Sequence, residues 1–162
     1  MAKKTAYFGC ILGLAVICGY VEFLIPFDFG IPGVKLGLAN IVAIYLLYKD
    51  GFWQALAVNT ARVLLSGILF GNAMSIFYSL CGATLALVVM FFMKKAPVFS
   101  TVGVSVAGAV AHNVGQLLAA TAVIGFSALV YYLPFLIITA VVTGFLIGFA
   151  AGYLIKRVKF IH

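Results

Sequence analysis

MAKKTAYFGCILGLAVICGYVEFLIP, residues 1–26, carries two lysines at positions 3 and 4 and then runs through about twenty mostly apolar residues before its first proline. A basic start followed by an apolar stretch is also the layout of a secretory signal. The apolar core of such a signal is roughly 7–15 residues long and ends at a small-residue cleavage site. Here the run is longer, and no Ala-x-Ala-like site closes it. The segment therefore reads as a retained first transmembrane helix, since about 20 residues rising about 1.5 Å each cross a hydrocarbon layer of about 30 Å.

The remainder of the chain repeats this theme. Of its 162 residues, 66% are apolar and 8% charged, against roughly 25% charged in an average soluble domain. Breaks at PFDFGIPG, YKDG, FGN, KKAP and IGFS divide the chain into apolar runs over about 5–25, 32–48, 52–70, 74–93, 98–124 and 128–155. This predicts an all-α integral membrane protein, a single domain over 1–162 with six transmembrane helices and no soluble appendage. Pro32, at the first turn of the second helix, would place Lys35 inside that helix.

A net charge of +7 would point to nucleic acid in a soluble protein. Here the basic residues sit at the ends of apolar runs, where they set topology, so a nucleic-acid role is rejected. Lys3, Lys4, Lys49, Lys94, Lys95 and the cluster Lys156, Arg157 and Lys159 fall on one side of a six-span arrangement. By the positive-inside rule that side is cytoplasmic, with both termini inside. Lys35 and Arg62 break the pattern. Cys10, Cys18 and Cys81 lie in predicted spans without metal-ligand spacing and read as small packing residues.

Counting depth at about 1.5 Å per residue brings the scarce polar groups into one leaflet. Glu22 falls near the outer end of the first helix, Lys35 at the outer surface and Asn40 deeper, Asn59 and Arg62 in the middle and outer part of the third helix, and His112, Asn113 and Gln116 likewise in the fifth. Asn59, Arg62 and Ser66 share one helix face, and so do Gly108, His112 and Gln116. An ionised side chain facing lipid costs several kcal/mol, so Arg62 must face a partner, a water-filled cavity or a ligand. One reading is structural: a Glu22–Arg62 ion pair with His112, Asn113 and Gln116 as interhelical glue. The other is an outward-facing binding site for a mostly apolar molecule with an anionic or polar head, in which Arg62 grips a phosphate or carboxylate and Lys35 receives it at the mouth. The loop over 26–34 would cap that site or rest among the headgroups.

Small residues recur on several helices: Gly144, Gly148 and Gly152 on the sixth, and Gly103, Ala107, Ala111, Gly115 and Ala119 on the fifth. Ala6 with Cys10, and Gly9 with Gly13, lie near the cytoplasmic end of the first. Most such stripes pack their own bundle; an exposed one would dock a partner. There is no aspartate-rich pair to hold magnesium against a diphosphate, no Walker loop, no His-x-x-x-His and no nucleophile elbow. The expectation is a non-enzymatic protein without cofactor or metal.

IPGVKLGLANIV (31–42), ARVLLSGILFGN (61–72) and SVAGAVAHNVGQLLAA (105–120) together look like a bacterial membrane family labelled heptaprenyl diphosphate synthase component I, or Gx transporter. The resemblance spans nearly the whole chain. That family is similar in size and six-helix plan to the substrate-binding S components of energy-coupling factor (ECF) transporters. The resemblance implies a binder in the bacterial cytoplasmic membrane that captures a micronutrient-like molecule from outside, such as an isoprenoid phosphate or a quinone or flavin precursor. It also implies docking on a separate ECF coupling membrane subunit driven by two ATPases. Helix 1 of S components carries an Ala-x-x-x-Ala docking pattern; Ala6 to Cys10 is the matching position here and departs from it. The competing expectations are a non-catalytic accessory subunit of prenyl diphosphate or quinone biosynthesis, and a helix-packing partner without ligand.

Overall fold

In the computed structural model, which describes residues 2–24, 37–124, 131 and 133–158, the apolar runs form six α-helices. These are α1 (Ala2–Leu24), α2 (Leu38–Lys49), α3 (Phe52–Phe70), α4 (Ala73–Lys95), α5 (Thr101–Ile124) and α6 (Leu133–Arg157). All but α2 are long and apolar enough to cross a membrane, and the chain is a membrane protein. With 12 residues, α2 reaches about 18 Å.

The second helix corrects the expected start near residue 32. Gly37 adopts a left-handed conformation, φ 74° and ψ 23°, which ends any helix at that point and favours glycine, so α2 begins at Leu38. Pro32, Lys35 and the 26–34 loop expected to cap the site lie outside the described residues. What α2 lacks in length it makes up in burial. Its sequence LANIVAIYLLYK is apolar on every face, and an all-round apolar helix belongs inside a bundle. Ala39 and the run Val42–Leu47 are indeed buried, against α1, α3 and α6. Around α2 the others pack in order: α1 beside α3, α3 beside α4, α4 beside α5, α5 beside α6.

Short connections make the neighbours antiparallel. Asp50 and Gly51 join α2 to α3, with Gly51 at φ 107°. Asn72 then starts α4 with a capping box: its side chain accepts from Ser75 N at 2.9 Å, and Ser75 Oγ accepts from Asn72 N at 3.0 Å.

The glycine stripes of α5 and α6 are used inside the bundle. A Cβ on Gly115 would lie 2.9 Å from Gly82 Cα, and one on Gly144 or Gly148 would lie 2.8 Å from the Cα of Val106 or Val102. Such contacts let backbones approach closely, as small residues do between membrane helices. By contrast, nothing lies within 4 Å of the corresponding positions on Gly9 and Gly13 of α1.

One end of the bundle collects the basic residues. Tyr7 at the start of α1 donates to Asp50 Oδ2 at 2.9 Å, and Lys94 at the end of α4 donates to the Leu47 carbonyl at 2.7 Å, satisfying an orphan acceptor in the last turn of α2. Above this end lies the apolar core, in which Ile44, Leu46, Leu47, Leu87 and Val104 are completely enclosed. Tyr48, Phe52, Phe91 and Ile155 pack against it.

Candidate ligand-binding site

Away from the basic end, a cavity of about 60 Å³ opens above the apolar core, floored by Ile44, Met90 and Ile147. Every helix sends a polar side chain to its wall: Glu22 from α1, Asn40 from α2, Arg62 from α3, Ser79 from α4, His112, Asn113 and Gln116 from α5, and Thr143 from α6. The spacing explains the contribution of α5. Gly108, His112 and Gln116 are four residues apart, fall on one helix face and all line the cavity.

Arg62 is held from within its own helix. Its Nε and Nη2 both donate to Asn59 Oδ1, at 3.1 and 2.9 Å, across the single turn that separates them. Asn59 is 6% exposed and lies off this cavity, behind the guanidinium, so its place is that of a positioning residue. The Nη1 end of Arg62 makes no hydrogen bond among the described residues, and Arg62 lines the cavity.

Glu22 is held differently. Its Oε1 accepts from the Leu38 backbone N at 2.9 Å, serving as the cap that Gly37 cannot supply. Gly37, Ala39 and Asn40 line the cavity, so the positive end of the α2 dipole lies at its wall beside this carboxylate. Asn113 Nδ2 donates to the Leu136 carbonyl at 2.9 Å and ties α5 to α6. Ser105, 2% exposed, lines the cavity with an Oγ that has no hydrogen-bond partner among the described residues. An unpaired buried hydroxyl is costly by about 1–3 kcal/mol unless something else supplies its bond.

A second cavity of about 120 Å³ adjoins the first, sharing Glu22, Arg62 and Ser79. Its other walls include Gly19 and Phe23 of α1, Ser66 and Phe70 of α3, and Ser75 of α4. Ser66 Oγ is buried and also lacks a partner among the described residues.

The structure thus brings Glu22, Asn40, Arg62, His112, Asn113 and Gln116 to one cavity, and Lys35 lies outside the described residues. Ser79, Ser105 and Thr143 join them without having stood out in the sequence. Hydroxyl residues are common in membrane helices and often bond back to their own backbone, as Thr143 Oγ1 does to Thr139 O at 2.9 Å. No spacing separates a lining hydroxyl from such a one. Ala6, Gly9, Cys10 and Gly13 are exposed along α1, which places Cys10 on the outside rather than among packed residues. Among the described residues, no three His, Cys, Asp or Glu side chains gather as a metal site.

A family model described as "Heptaprenyl diphosphate synthase component I" matches residues 11–154, a span that holds both cavities. No curated protein and no solved structure matches the chain.

Proposed function

The chain belongs to the heptaprenyl diphosphate synthase component I family, and from that membership and the shape of its cavity we propose that it is a membrane-embedded substrate-binding subunit, similar in plan to the S components of ECF transporters. It captures a small amphiphilic anion, an isoprenoid phosphate or a quinone or flavin precursor, from the extracellular side. In this reading all six helices form one transmembrane unit in the bacterial cytoplasmic membrane, with the basic end and both termini inside. The buried α2 counts as a span because its neighbours, not lipid, surround it. The subunit binds and does not catalyse.

The observation that carries the reading is the convergence of polar side chains from all six helices on one cavity at the far end, over a core sealed at the basic end. On insertion scales a cation at mid-membrane costs about 2.5–3.5 kcal/mol. Asn59 is neutral, and the Glu22 carboxylate, which shares both cavity walls with Arg62 and meets part of its charge, is also engaged by the Leu38 amide; an anionic head on the Nη1 edge of Arg62 would complete the pairing. His112, Gln116 and Ser105 would orient that head, and Lys35 would meet it on the way in. The open face at Ala6, Gly9, Cys10 and Gly13 supports docking of α1 on a coupling membrane subunit with two ATPases.

Native mass spectrometry of the protein purified from its membrane should find a small anionic amphiphile bound one to one, and Arg62→Gln should lose it. Retention of the molecule by the variant would remove the proposal. The family description favours a second reading, an accessory subunit that presents a lipidic substrate to a prenyl-transferring enzyme. That reading expects a soluble synthase to co-purify and its product length to change when this chain is absent.

A further inference from the structure

We infer that the two cavities flanking Arg62 are halves of one site, with the polar head of the ligand in the inner half and an unsaturated apolar part on Phe23 and Phe70 in the outer half; this rests on the binding reading above. Size is the first argument. The inner cavity, about 60 Å³, has room for roughly four waters and so for a head group, well short of the roughly 300–1,000 Å³ that holds a drug-sized molecule. The adjoining cavity is twice as large, and Glu22, Arg62 and Ser79 line both.

The chemistry changes across that shared wall. Inside, amides, an imidazole and hydroxyls surround the space. Outside, Phe23 and Phe70 line the wall with ring centroids 6.0 Å apart and planes 27° from parallel, and Tyr20, off the cavity, supports Phe70 with a ring 4.8 Å away. Offset rings of this kind offer faces on which another flat or unsaturated group gains contact. Ser66 Oγ, buried and without a partner among the described residues, lines the outer half beside Ser75 and Ser79 and leaves a hydroxyl open to a ligand there. Gly19, whose Cβ would come within 3.2 Å of that hydroxyl, keeps α1 close to α3 at this point. The outer half is walled by the last turns of α1 and α3 and the first of α4, so it lies farther from the basic end than the inner half. A ligand entering from the end opposite the lysines would pass its head over the aromatic rings before reaching Arg62.

The test uses the full chain in lipid nanodiscs, with binding to empty discs subtracted. Four radiolabelled ligands are compared: inorganic phosphate, a five-carbon and a ten-carbon prenyl monophosphate, and the ten-carbon prenyl alcohol. The ten-carbon phosphate is expected to bind at least about tenfold more tightly than inorganic phosphate, the equivalent of one well-buried apolar group. Phe70→Ala should remove most of that gain and leave inorganic phosphate unchanged. Phe23→Ala, at a side chain 62% exposed and so outside the packed core, should reduce it about threefold. Equal affinity for phosphate and the ten-carbon phosphate, or a gain unaltered in both variants, overturns the two-chambered site, as does failure of every phosphate to bind. If Arg62→Gln loses all phosphate binding while the phenylalanine variants leave the chain-length preference intact, only this inference falls. If Arg62→Gln binds the ten-carbon phosphate as before, the binding reading itself falls.

Discussion

Next to the lysines, Leu47 and Leu87 are wholly enclosed, and polar groups such as Tyr7, Asp50 and Lys94 are bonded to one another or to the backbone. Toward the other end the same helices part around two cavities; Ser66 at the outer one, and Ser105 near the start of α5 where the inner one reaches down to the core, keep buried hydroxyls without partners among the described residues. Several polar residues of that half hold something in place: Asn59 the guanidinium of Arg62, Glu22 the first turn of α2, Asn113 the backbone of α6. Glue therefore exists in the far half, but it surrounds space instead of filling it. A bundle meant only to pack has no physical reason to leave hydroxyls unpaired beside voids.

The contrast breaks most sharply in the closed half. Leu87→Ala or Leu47→Ala removes a side chain with no exposure and should lower stability by about 2–4 kcal/mol through the cavity it leaves. Thermal unfolding in detergent, followed by circular dichroism, reads the loss. Ser79→Ala at the cavity wall should stay within about 0.5 kcal/mol by the same measurement. Equal losses in the two halves would mean that the cavity is not a separate region at all.

Glycines sharpen the comparison further. A methyl on Gly82 would lie 2.7 Å from both the His112 carbonyl oxygen and Gln116 Cγ. The side chain can swing away, but the carbonyl belongs to a helix and cannot. Gly82→Ala should therefore push α5 from α4, cost about 1–3 kcal/mol and carry His112 and Gln116 off the cavity, so ligand retention falls with stability. Gly13→Ala meets nothing within 4 Å and should leave the isolated protein as stable as before, or slightly more so through helix propensity.

How much of this was legible beforehand differs between the two halves as well. Helices α3, α4 and α5 were readable to within a few residues, because apolar length and Gly, Asn and Lys-Lys-Ala-Pro breaks act locally. The start of α2 was not. Pro32 is a fair helix opener on local grounds, yet Gly37 takes a left-handed conformation and the cap comes from Glu22, sixteen residues away. Depth counting groups Glu22, Asn40, Arg62, His112 and Gln116, which line one cavity in the structure, since charge and amide groups are rare enough in a membrane helix to be informative. It could not tell that Asn59 faces Arg62 rather than the cavity, because residues three apart on a helix are neighbours whichever way they point. Ser79, Ser105 and Thr143 carry no such rarity, and only their packing reveals them.

Glu22 tests whether the far half is organised by its bonds. Glu22→Ala leaves the Leu38 amide without its acceptor and should cost about 1 kcal/mol, the usual value of a lost cap. Glu22→Gln keeps an acceptor oxygen at that position and should recover most of it. Hydrogen exchange at the Leu38 amide, faster in the alanine variant than in the glutamine one, separates loss of the cap from loss of charge. Similar exchange in both would show that the first turn of α2 is held by packing alone.

A modest effect is expected at Lys94, and it concerns the closed half. Lys94 donates to the Leu47 carbonyl at 2.7 Å and lies 5.0 Å from the centre of the Tyr48 ring, so Lys94→Met deprives the end of α2 of a charge-assisted bond while keeping an apolar stem of similar length. A loss of about 1 kcal/mol follows from the unsatisfied carbonyl, reduced because the group is only partly buried. Lys95→Met is the control. That ammonium rests 4.3 Å from the centre of the Phe91 ring on an exposed side chain, where such a contact is worth about 0.5 kcal/mol. Since either variant leaves one lysine in place, the charge difference that sets topology is weakened equally in both. A loss at Lys94 that exceeds the loss at Lys95 isolates the hydrogen bond to α2, whereas equal losses would mean that the shortest helix of the bundle is fastened at this end by its buried leucines and needs no cap from α4.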